Sequence, residues 1–594
     1  MSAVAERGLL LSGNEAIARG ALEAGVVVAA GYPGTPSTEI LEAIAGAGEI
    51  DVRWSPNEKV ALDVALGASL GGARSLATMK HVGLNVAADT FLTAAYTGVG
   101  AGLVVVSADD PGMHSSQNEQ DNRYYGRFAG VPVLEPSDSD EARAMTALAF
   151  QISEEFDTPV LIRTTTRIAH GRSAVRFAEP TRPVVAGFKR DAAKYVMLPG
   201  NARERHRIQI ERLGRLARYS EASALAIETP GDLEVGIVTS GAVFHYVREV
   251  FPNAAVLKLG LTNPVPIERV RAFAERVRRL LVVEELEPFL EDALRAAGIK
   301  VEGKAHFTRL GELSPEAVRK GFASAGVPGM TAMPVPRAAL TATNRPPVLC
   351  PGCPHSLPFL VVRQLGAVVM GDIGCYTLAA LEPLRAMDTC VAMGSSIGMA
   401  SGLVASGGSG APVVAAIGDS TFLHGGIQGL MDAVYNQDDI TVLLLDNGTV
   451  AMTGGQQHPG TGVTLDGRVG RPVDIPALCR ALGVQHVVVV DPYDVAGLTN
   501  ALRAAIAHSG PAVVITNRPC VEAPVKIRDL PFQVIADQCI ACQLCMNIGC
   551  PSLLWTDELY EGRRRVSIDA ASCTGCTVCA QLCPAGAIVA EGAR

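Results

Sequence analysis

Eight of the fourteen cysteines follow residue 538, in two runs of similar rhythm: Cys539-x2-Cys542-x2-Cys545-x4-Cys550-Pro551 and Cys573-x2-Cys576-x2-Cys579-x3-Cys583-Pro584. Thiolates two residues apart on a tight loop reach three corners of one Fe4S4 cube, and the cysteine before proline serves the other cube. The expected sets are Cys539, Cys542, Cys545 and Cys583 for one cluster, and Cys573, Cys576, Cys579 and Cys550 for the second. Zinc is the competing reading, since Cys-x2-Cys pairs also suit it. Two full quartets, each closing on Cys-Pro, favour iron–sulfur. The four-residue gap before Cys550 should bulge its loop without removing the ligand.

Such a segment only carries electrons, so their source must lie upstream. Gly418-Asp419-Ser420 directly follows the apolar run 413–417, and the run 441–445 ends in Asp446-Asn447. Two parallel strand ends can converge on one divalent ion. Asp419 would give a carboxylate, Asn447 a side-chain oxygen and Thr449 its carbonyl; oxygen ligands completed by phosphate and water suit Mg2+. The pattern resembles the thiamine-diphosphate motif, Gly-Asp-Gly followed after a gap of this size by Asn-Asn. Ser420 and Asp446 depart from it, and Asn447 is retained. Thr421 to Gly426 would lead a helix whose first amides face the phosphates. Gly394, Ser395 and Ser396, after Met393, form another Gly loop expected to help cradle them. His424 is a phosphate or substrate neighbour, or a structural histidine. Thiamine diphosphate also needs a glutamate from a second α/β domain, bonded to the pyrimidine N1′ so that the neighbouring amine can take the C2 proton. Glu58, ahead of a helix rich in small residues, is the candidate, and such acid–base work favours a pKa raised by burial. A glutamate at a helix start is more ordinarily a favourable dipole partner.

Four more cysteines gather on loops: Cys350-x2-Cys353, Cys375 and Cys520. They can hold a third, proximal cluster near the thiamine, with Cys520 the weakest member. Cys390 and Cys479 sit in apolar patterns and read as unrelated thiols. The segments GYPGTPSTEI, MKHVGLN, ADDPGMHSSQNEQD, CPGCPH, GDIGCYTL, GDSTFLHGGI and DNGTVAMTGGQQHP resemble those of the 2-oxoacid:ferredoxin oxidoreductases, and within them the α subunits of the indolepyruvate:ferredoxin oxidoreductase family. The tail in turn resembles a bacterial two-cluster ferredoxin. The resemblance implies that Thr35 contacts substrate, that Lys80 and His81 lie in the substrate region, and that Cys350, Cys353, Cys375 and Cys520 ligate the proximal cluster. It implies oxidative decarboxylation of an aryl pyruvate, with coenzyme A taking the acyl group and electrons passing one at a time to ferredoxin. It also implies a separate, smaller β (γ-type) subunit in an α2β2 assembly. The alternatives are an oxidoreductase for another 2-oxoacid, a non-oxidative thiamine-dependent decarboxylase or synthase, and a pure electron-transfer adapter.

The elements that must position these residues are legible as apolar, β-branched runs at 26–30, 103–106, 160–162, 236–239, 280–283, 413–417, 441–445 and 512–516. Near-continuous apolar strands alternating with helical patterns indicate doubly wound parallel α/β sheets, with ligands beyond the strands' carboxyl ends. At 594 residues several domains are expected: a pyrimidine-binding unit at 1–185, a basic linker at 186–231, a transketolase-C-terminal-like unit at 232–335, a diphosphate- and Mg-binding unit at 336–528 and a two-cluster ferredoxin-like tail at 529–594. The linker's Arg203, Arg205, Arg207, Arg212, Arg215 and Arg218 read as a solvated helix more readily than as an anion or partner patch, and a Pro-rich break falls at 333–347. The composition, 48% hydrophobic and 19% charged with net charge −9, permits large cores and argues against a nucleic-acid partner. The N-terminus has no signal-peptide pattern and no run of 18 apolar residues occurs, so a cytoplasmic chain without membrane spans is expected.

Overall fold

Alternating apolar strands and small-residue helices wind this chain into two separate units, residues 1–340 and 341–594. A computed structural model describes residues 8–48, 50–327, 347–408, 410–523 and 529–592. The Pro-rich break at 333–347, Pro347 excepted, and the expected boundaries at 335/336 and 528/529 fall outside the described residues or at their edge.

The first unit is built on a seven-stranded sheet. Its order is Leu261–Asn263, Val133–Leu134, Val160–Thr165, Leu103–Asp109, Ser75–Lys80, Val28–Gly31 and Asp51–Trp54. All neighbours run parallel except the edge strand Leu261–Asn263. Strands Leu103–Asp109 and Val160–Thr165 are buried along their whole length, as a sheet with both faces covered requires. A second sheet orders Arg279–Val283, Asp232–Thr239, Ala254–Leu259 and Ala226–Thr229. The strand Leu261–Asn263 lies in the chain between two strands of this sheet, Ala254–Leu259 and Arg279–Val283, yet pairs with Val133–Leu134 of the first sheet, so the stretch 232–335 shares a sheet with the stretch 1–185.

The basic stretch is a helix whose Arg203, Arg207, Arg215 and Arg218 are exposed, as the solvated reading expects, while two of its arginines turn inward. Helix Pro199–Ala222 buries Arg205, Gln209 and Arg212. Arg205 donates to the carbonyls of Tyr96 at 2.7 Å and Thr97 at 3.1 Å, and Arg212 to that of Ala95. These are the last carbonyls of helix His81–Thr97, which have no intrahelical partner and carry the negative end of the helix dipole. The arginines cap a helix.

The second unit holds a six-stranded, all-parallel sheet in the order Thr389–Cys390, Val368–Gly371, Val413–Gly418, Thr441–Asp446, Ala512–Asn517 and His486–Val490. The tail adds two small antiparallel pairs, Phe532–Val534 with Ile588–Ala590 and Leu553–Tyr560 with Arg563–Ile568. Its cysteine loops pack into the same apolar core as helix Ser356–Gln364 and one face of the six-stranded sheet. Among the described residues no helix is long and apolar enough to cross a membrane.

Candidate active site

In the first unit the four singled-out residues stand at the carboxyl ends of three adjacent parallel strands. Thr35 follows Val28–Gly31, Glu58 follows Asp51–Trp54, and Lys80 and His81 end Ser75–Lys80. Asn57 caps helix Glu58–Leu70 by accepting from the Val60 amide at 2.9 Å, which leaves the buried Glu58 as its first residue. Glu58 lies against Gly83 so closely that a Cβ there would stand 2.6 Å from its Cγ and 2.7 Å from Oε1.

The loop 110–122 closes over the next strand end. Lys80 Nζ donates to the Ser115 carbonyl, and His81 Nε2 meets the Asn118 carbonyl at 3.2 Å. Burial lowers the Lys80 ammonium to about 8 against the pull of Asp110, and burial, then Lys80, lowers His81. Burial alone would raise Asp110; hydrogen bonds from Ser116 at 2.5 Å, Thr166 at 2.7 Å and the Ser115 amide at 2.8 Å hold it below the ordinary value. Behind the loop lies a hub that sequence reasoning missed. The fully buried Arg123 donates to Asp121 at 2.8 Å, Glu284 at 2.9 Å and the Glu285 carbonyl at 2.9 Å. Arg163 pairs with Asp109 at 2.7 Å and Glu135 at 2.8 Å. Burial raises Asp109, Glu284 and Glu285 to about 7 each, against the arginines and local amides. Asn122, next to Arg123, donates to the His81 carbonyl at 3.0 Å, so the hub holds the loop at the strand ends.

In the second unit the loops after Val368–Gly371, Val413–Gly418, Thr441–Asp446 and Ala512–Asn517 form one row. Asp419 is buried beside Asp446; its Oδ2 accepts from the Gly448 amide at 2.9 Å and lies 3.2 Å from His458 Nε2. Burial would raise Asp419, but His458, the Ser420 amide and Asp446 together hold this carboxyl low. Burial and then Asp419 lift Asp446 to about 6. Two carboxyls meeting at a strand-end loop, with the Asn447 side chain and Thr449 beside them, fit a divalent cation, which offsets their repulsion. The Thr449 amide donates to Asn447 Oδ1 at 3.2 Å, and Asn447 Nδ2 meets His355 Nε2 at 3.3 Å. His355 is buried, burial lowers it to about 4 against Asp419, and its Nδ1 has no partner. An orphaned polar atom in this row suits a polar ligand.

The helical segment opening at Asp419 contains Ser420, Thr421 and His424, all buried. Gly394 lies against it: a Cβ there would come within 2.6–2.9 Å of the Gly425 backbone. The Gly394–Ser396 amides are engaged, however. Gly394 and Ser396 donate to the buried Asp372 at 2.9 and 3.0 Å, and Ser395 to the Ala392 carbonyl at 3.1 Å. Asp372 went unnoticed although Gly371-Asp372 follows an apolar strand just as Gly418-Asp419 does. Tyr376 bridges the two loops, accepting from the Gly418 amide at 3.0 Å and donating to the Ile373 carbonyl at 3.1 Å.

The thiols of Cys350, Cys353, Cys375 and Cys520 lie near one another. Burial pushes the first three up, and charge on neighbouring members of the set adds to it. The Cys520 amide donates to the Asn447 carbonyl at 3.0 Å. In the tail, burial raises Cys545 to about 11, helped by Cys542, Cys583 and Cys539. Burial likewise raises Cys579, helped by Cys576, Cys550 and Cys573. Thiols gathered and buried in this way resist ionising alone; iron would supply the positive charge that lets them. Among the described residues no group of three or more His, Cys, Asp or Glu side chains is placed to hold a metal ion. Cys390 contacts Thr377 and the Asp372 carbonyl, and Cys479 is fully buried in apolar core.

The loop of Cys350 and Cys353 interlocks with the tail. A Cβ at Gly352 would overlap Thr574 Oγ1, and Tyr493 donates to the Gly352 carbonyl. The Arg518 guanidinium lies 3.9 Å over the Tyr493 ring. A small cavity lined by Tyr493, Arg518, Cys520, Asp529, Thr574 and Cys576 separates the two thiol sets.

Three family models match the chain: the thiamine-diphosphate-binding part of pyruvate flavodoxin/ferredoxin oxidoreductase over residues 19–225, the C-terminal TPP-binding domain of thiamine pyrophosphate enzymes over 372–516, and a 4Fe-4S dicluster domain over 538–587. The indolepyruvate oxidoreductase subunit IorA of Archaeoglobus fulgidus is 42% identical, over 98% of this chain and 97% of its own. That of Thermococcus kodakarensis is 39% identical, over 97% and 96%. The 2-oxoglutarate synthase subunit KorA of Archaeoglobus fulgidus is 26% identical over 51% of this chain and 95% of its own. A solved 2-oxoglutarate:ferredoxin oxidoreductase from Magnetococcus marinus aligns with 52% of this chain and 64% of that one, at 19% identity and a TM-score of 0.45.

Proposed function

The chain belongs to the indolepyruvate oxidoreductase IorA family of thiamine-diphosphate-dependent 2-oxoacid:ferredoxin oxidoreductases, and from that premise we propose that it oxidatively decarboxylates aryl pyruvates of the indolepyruvate and phenylpyruvate class. Coenzyme A takes the acyl group and ferredoxin the electrons. A smaller β subunit completes an α2β2 assembly in the cytoplasm, where reducing conditions suit fourteen cysteines. The name of the IorA relatives supports the substrate class.

The observation that carries the reading is the hydrogen bond of 3.0 Å from the Cys520 amide to the Asn447 carbonyl. It joins the loop suited to a cation and diphosphate to the loop suited to a cluster. Carbon–carbon cleavage and one-electron chemistry thereby share one row of strand ends.

Thiamine diphosphate, when bound, would supply a nucleophilic carbon and an electron sink for decarboxylation of a 2-oxoacid. Asp419, Asn447 and the Thr449 carbonyl would hold Mg2+ for the diphosphate. Glu58 hydrogen-bonds the pyrimidine and keeps the proton relay poised. Thr35, Lys80 and His81 orient the carboxylate and carbonyl of the substrate. His424 neighbours the phosphates in the second unit, and Gly394 sets the close approach of its loop to Gly425. Cys350, Cys353, Cys375 and Cys520 would hold a proximal cluster, which would supply one-electron chemistry beside the tail quartets.

The test is anaerobic co-purification with the small subunit, iron and thiamine analysis, and a 2-oxoacid panel read by viologen reduction. Rapid reduction with indolepyruvate and phenylpyruvate, strictly dependent on coenzyme A, is expected. Aldehyde release without an acceptor, or a preference for non-aromatic 2-oxoacids, would overturn the reading.

A further inference from the structure

A basic side chain stands in the small cavity between the two thiol sets. Among the described residues that line it, Arg518 is the only base and Asp529 the only acid, with Cys520 on one side and Thr574 and Cys576 on the other. At about 30 Å3 the cavity has room for no more than a few waters. Arg518 is fixed in it twice. Its backbone amide donates to the Asp446 carbonyl at 3.0 Å, just past strand Ala512–Asn517. Its guanidinium lies 3.9 Å over the Tyr493 ring, which holds a cation without neutralising it. The carboxylate contact it makes, to the half-exposed Asp491, is long at 3.5 Å.

Tyr493 is anchored on both sides of the cavity. Its hydroxyl donates to the Gly352 carbonyl, between Cys350 and Cys353. Its own carbonyl accepts from Gln581 Nε2 at 2.8 Å, and Gln581 Oε1 accepts from the Val495 amide at 3.2 Å. Gln581 lies between Cys579 and Cys583. Burial raises the Tyr493 phenol; charge on Cys576 adds to the rise, Arg518 opposes it, and Cys353 contributes a smaller push. Ring and guanidinium therefore lie within electrostatic reach of both thiol sets.

We propose that Arg518, stacked on Tyr493, raises the reduction potential of the iron–sulfur cluster held by Cys550, Cys573, Cys576 and Cys579. The proposal rests on the reading of that quartet as a cluster site, and not on the substrate or on the upstream thiols. Four thiolates leave such a cube negative, and the electron it gains makes it more so. A fixed cation nearby thus favours the reduced form, with no bond made and no proton moved. Side chains that surround a metal centre without ligating it set its potential in this way. The sign does not depend on Asp529 or Asp491: loss of Arg518 makes the surroundings more negative by one charge, whichever carboxylates stay.

The test is a redox titration of the complete enzyme with its small subunit, followed by electron paramagnetic resonance. In Arg518→Gln the reduced-to-oxidised ratio of this cluster at a fixed potential should fall about tenfold, a midpoint lower by about 59 mV for one electron. Arg518→Lys, which keeps the charge, should recover most of the fall. Asp529→Asn should move the same midpoint upward, and by less, because Asp529 is exposed. The cluster of Cys539, Cys542, Cys545 and Cys583 should hold its midpoint in all three variants; Cys542→Ser, which alters that cluster's own spectrum, identifies it. Iron content should match wild type. Unchanged midpoints in Arg518→Gln, equal shifts of both tail clusters, or the same fall in Arg518→Lys as in Arg518→Gln would overturn the proposal. Should Arg518→Gln lose iron, Asp529→Asn decides, and a midpoint that does not rise there ends the proposal. Zinc in place of iron in the wild-type tail would end the cluster reading and this proposal with it, whereas full iron without a shift ends this proposal alone.

Discussion

Gly83→Ala tests the placement of Glu58 without touching a charged group. The new methyl would stand 2.6 Å from Glu58 Cγ, 2.7 Å from Oε1 and 2.9 Å from Cδ. Carbon atoms pack at about 3.5 Å or more, so the carboxyl must retreat by roughly 0.9 Å. The atoms in its way are the free end of a side chain, not backbone, so the fold absorbs the change. Alanine in helix His81–Thr97 in fact gains up to about 1 kcal/mol over glycine. For a group that must be placed to within a fraction of an ångström, a shift of about 1 Å costs on the order of a hundredfold in rate. The variant should therefore melt no lower than wild type, bind thiamine diphosphate and iron in full, and turn over 2-oxoacid about a hundredfold more slowly. Glu58→Gln should match or exceed that loss. Turnover above half of wild type in Gly83→Ala would remove Glu58 from the catalytic position.

Three further outcomes are expected. Cys375→Ser should lower iron by about four atoms per chain while the tail clusters remain, and 2-oxoacid-driven viologen reduction should fall at least a hundredfold; unchanged iron would exclude a third cluster. Glu285 has its pKa raised by burial from 4.5 to about 7, so the stability it confers is full below 4.5 and lost as pH rises through about 7. Glu285→Gln should therefore gain in melting temperature relative to wild type between pH 5 and 7.5, and a difference that is flat with pH would refute that burial. Anaerobic dialysis against EDTA should release thiamine diphosphate and abolish activity, with Mg2+ and cofactor together restoring both, while Asp419→Asn should resist restoration.

What the sequence made legible was mostly short-range. Cysteines two residues apart, or a strand ending in Gly-Asp, carry their chemistry within one loop, and parallel strands announce themselves as apolar runs. The partners of those residues were not legible, because they come from elsewhere. Nothing near Arg123 in sequence points to Glu284, 161 positions away. Arg205 and Arg212 read as solvated charge because the carbonyls they cap belong to a helix more than a hundred residues earlier. The strand Leu261–Asn263 is too short to advertise which sheet it joins. Asp372 is the instructive omission: its signature matched that of Asp419, but its carboxylate is spent on the amides of Gly394 and Ser396. An identical local pattern thus serves as internal scaffold in one loop and, in the proposed reading, as a cation ligand in the next.

The interlock of Gly352 with Thr574, sealed by Tyr493 and Arg518, makes the tail a fixture of this chain. A carrier that diffuses must find its donor anew at every turnover, at a pace set by concentration and salt. With a cluster on the Cys350 loop, as proposed, the spacing between donor and first acceptor would be written into the backbone, and dilution would not slow that hop. Fusion has turned an encounter into a distance, and only the final hand-over is left to chance collision.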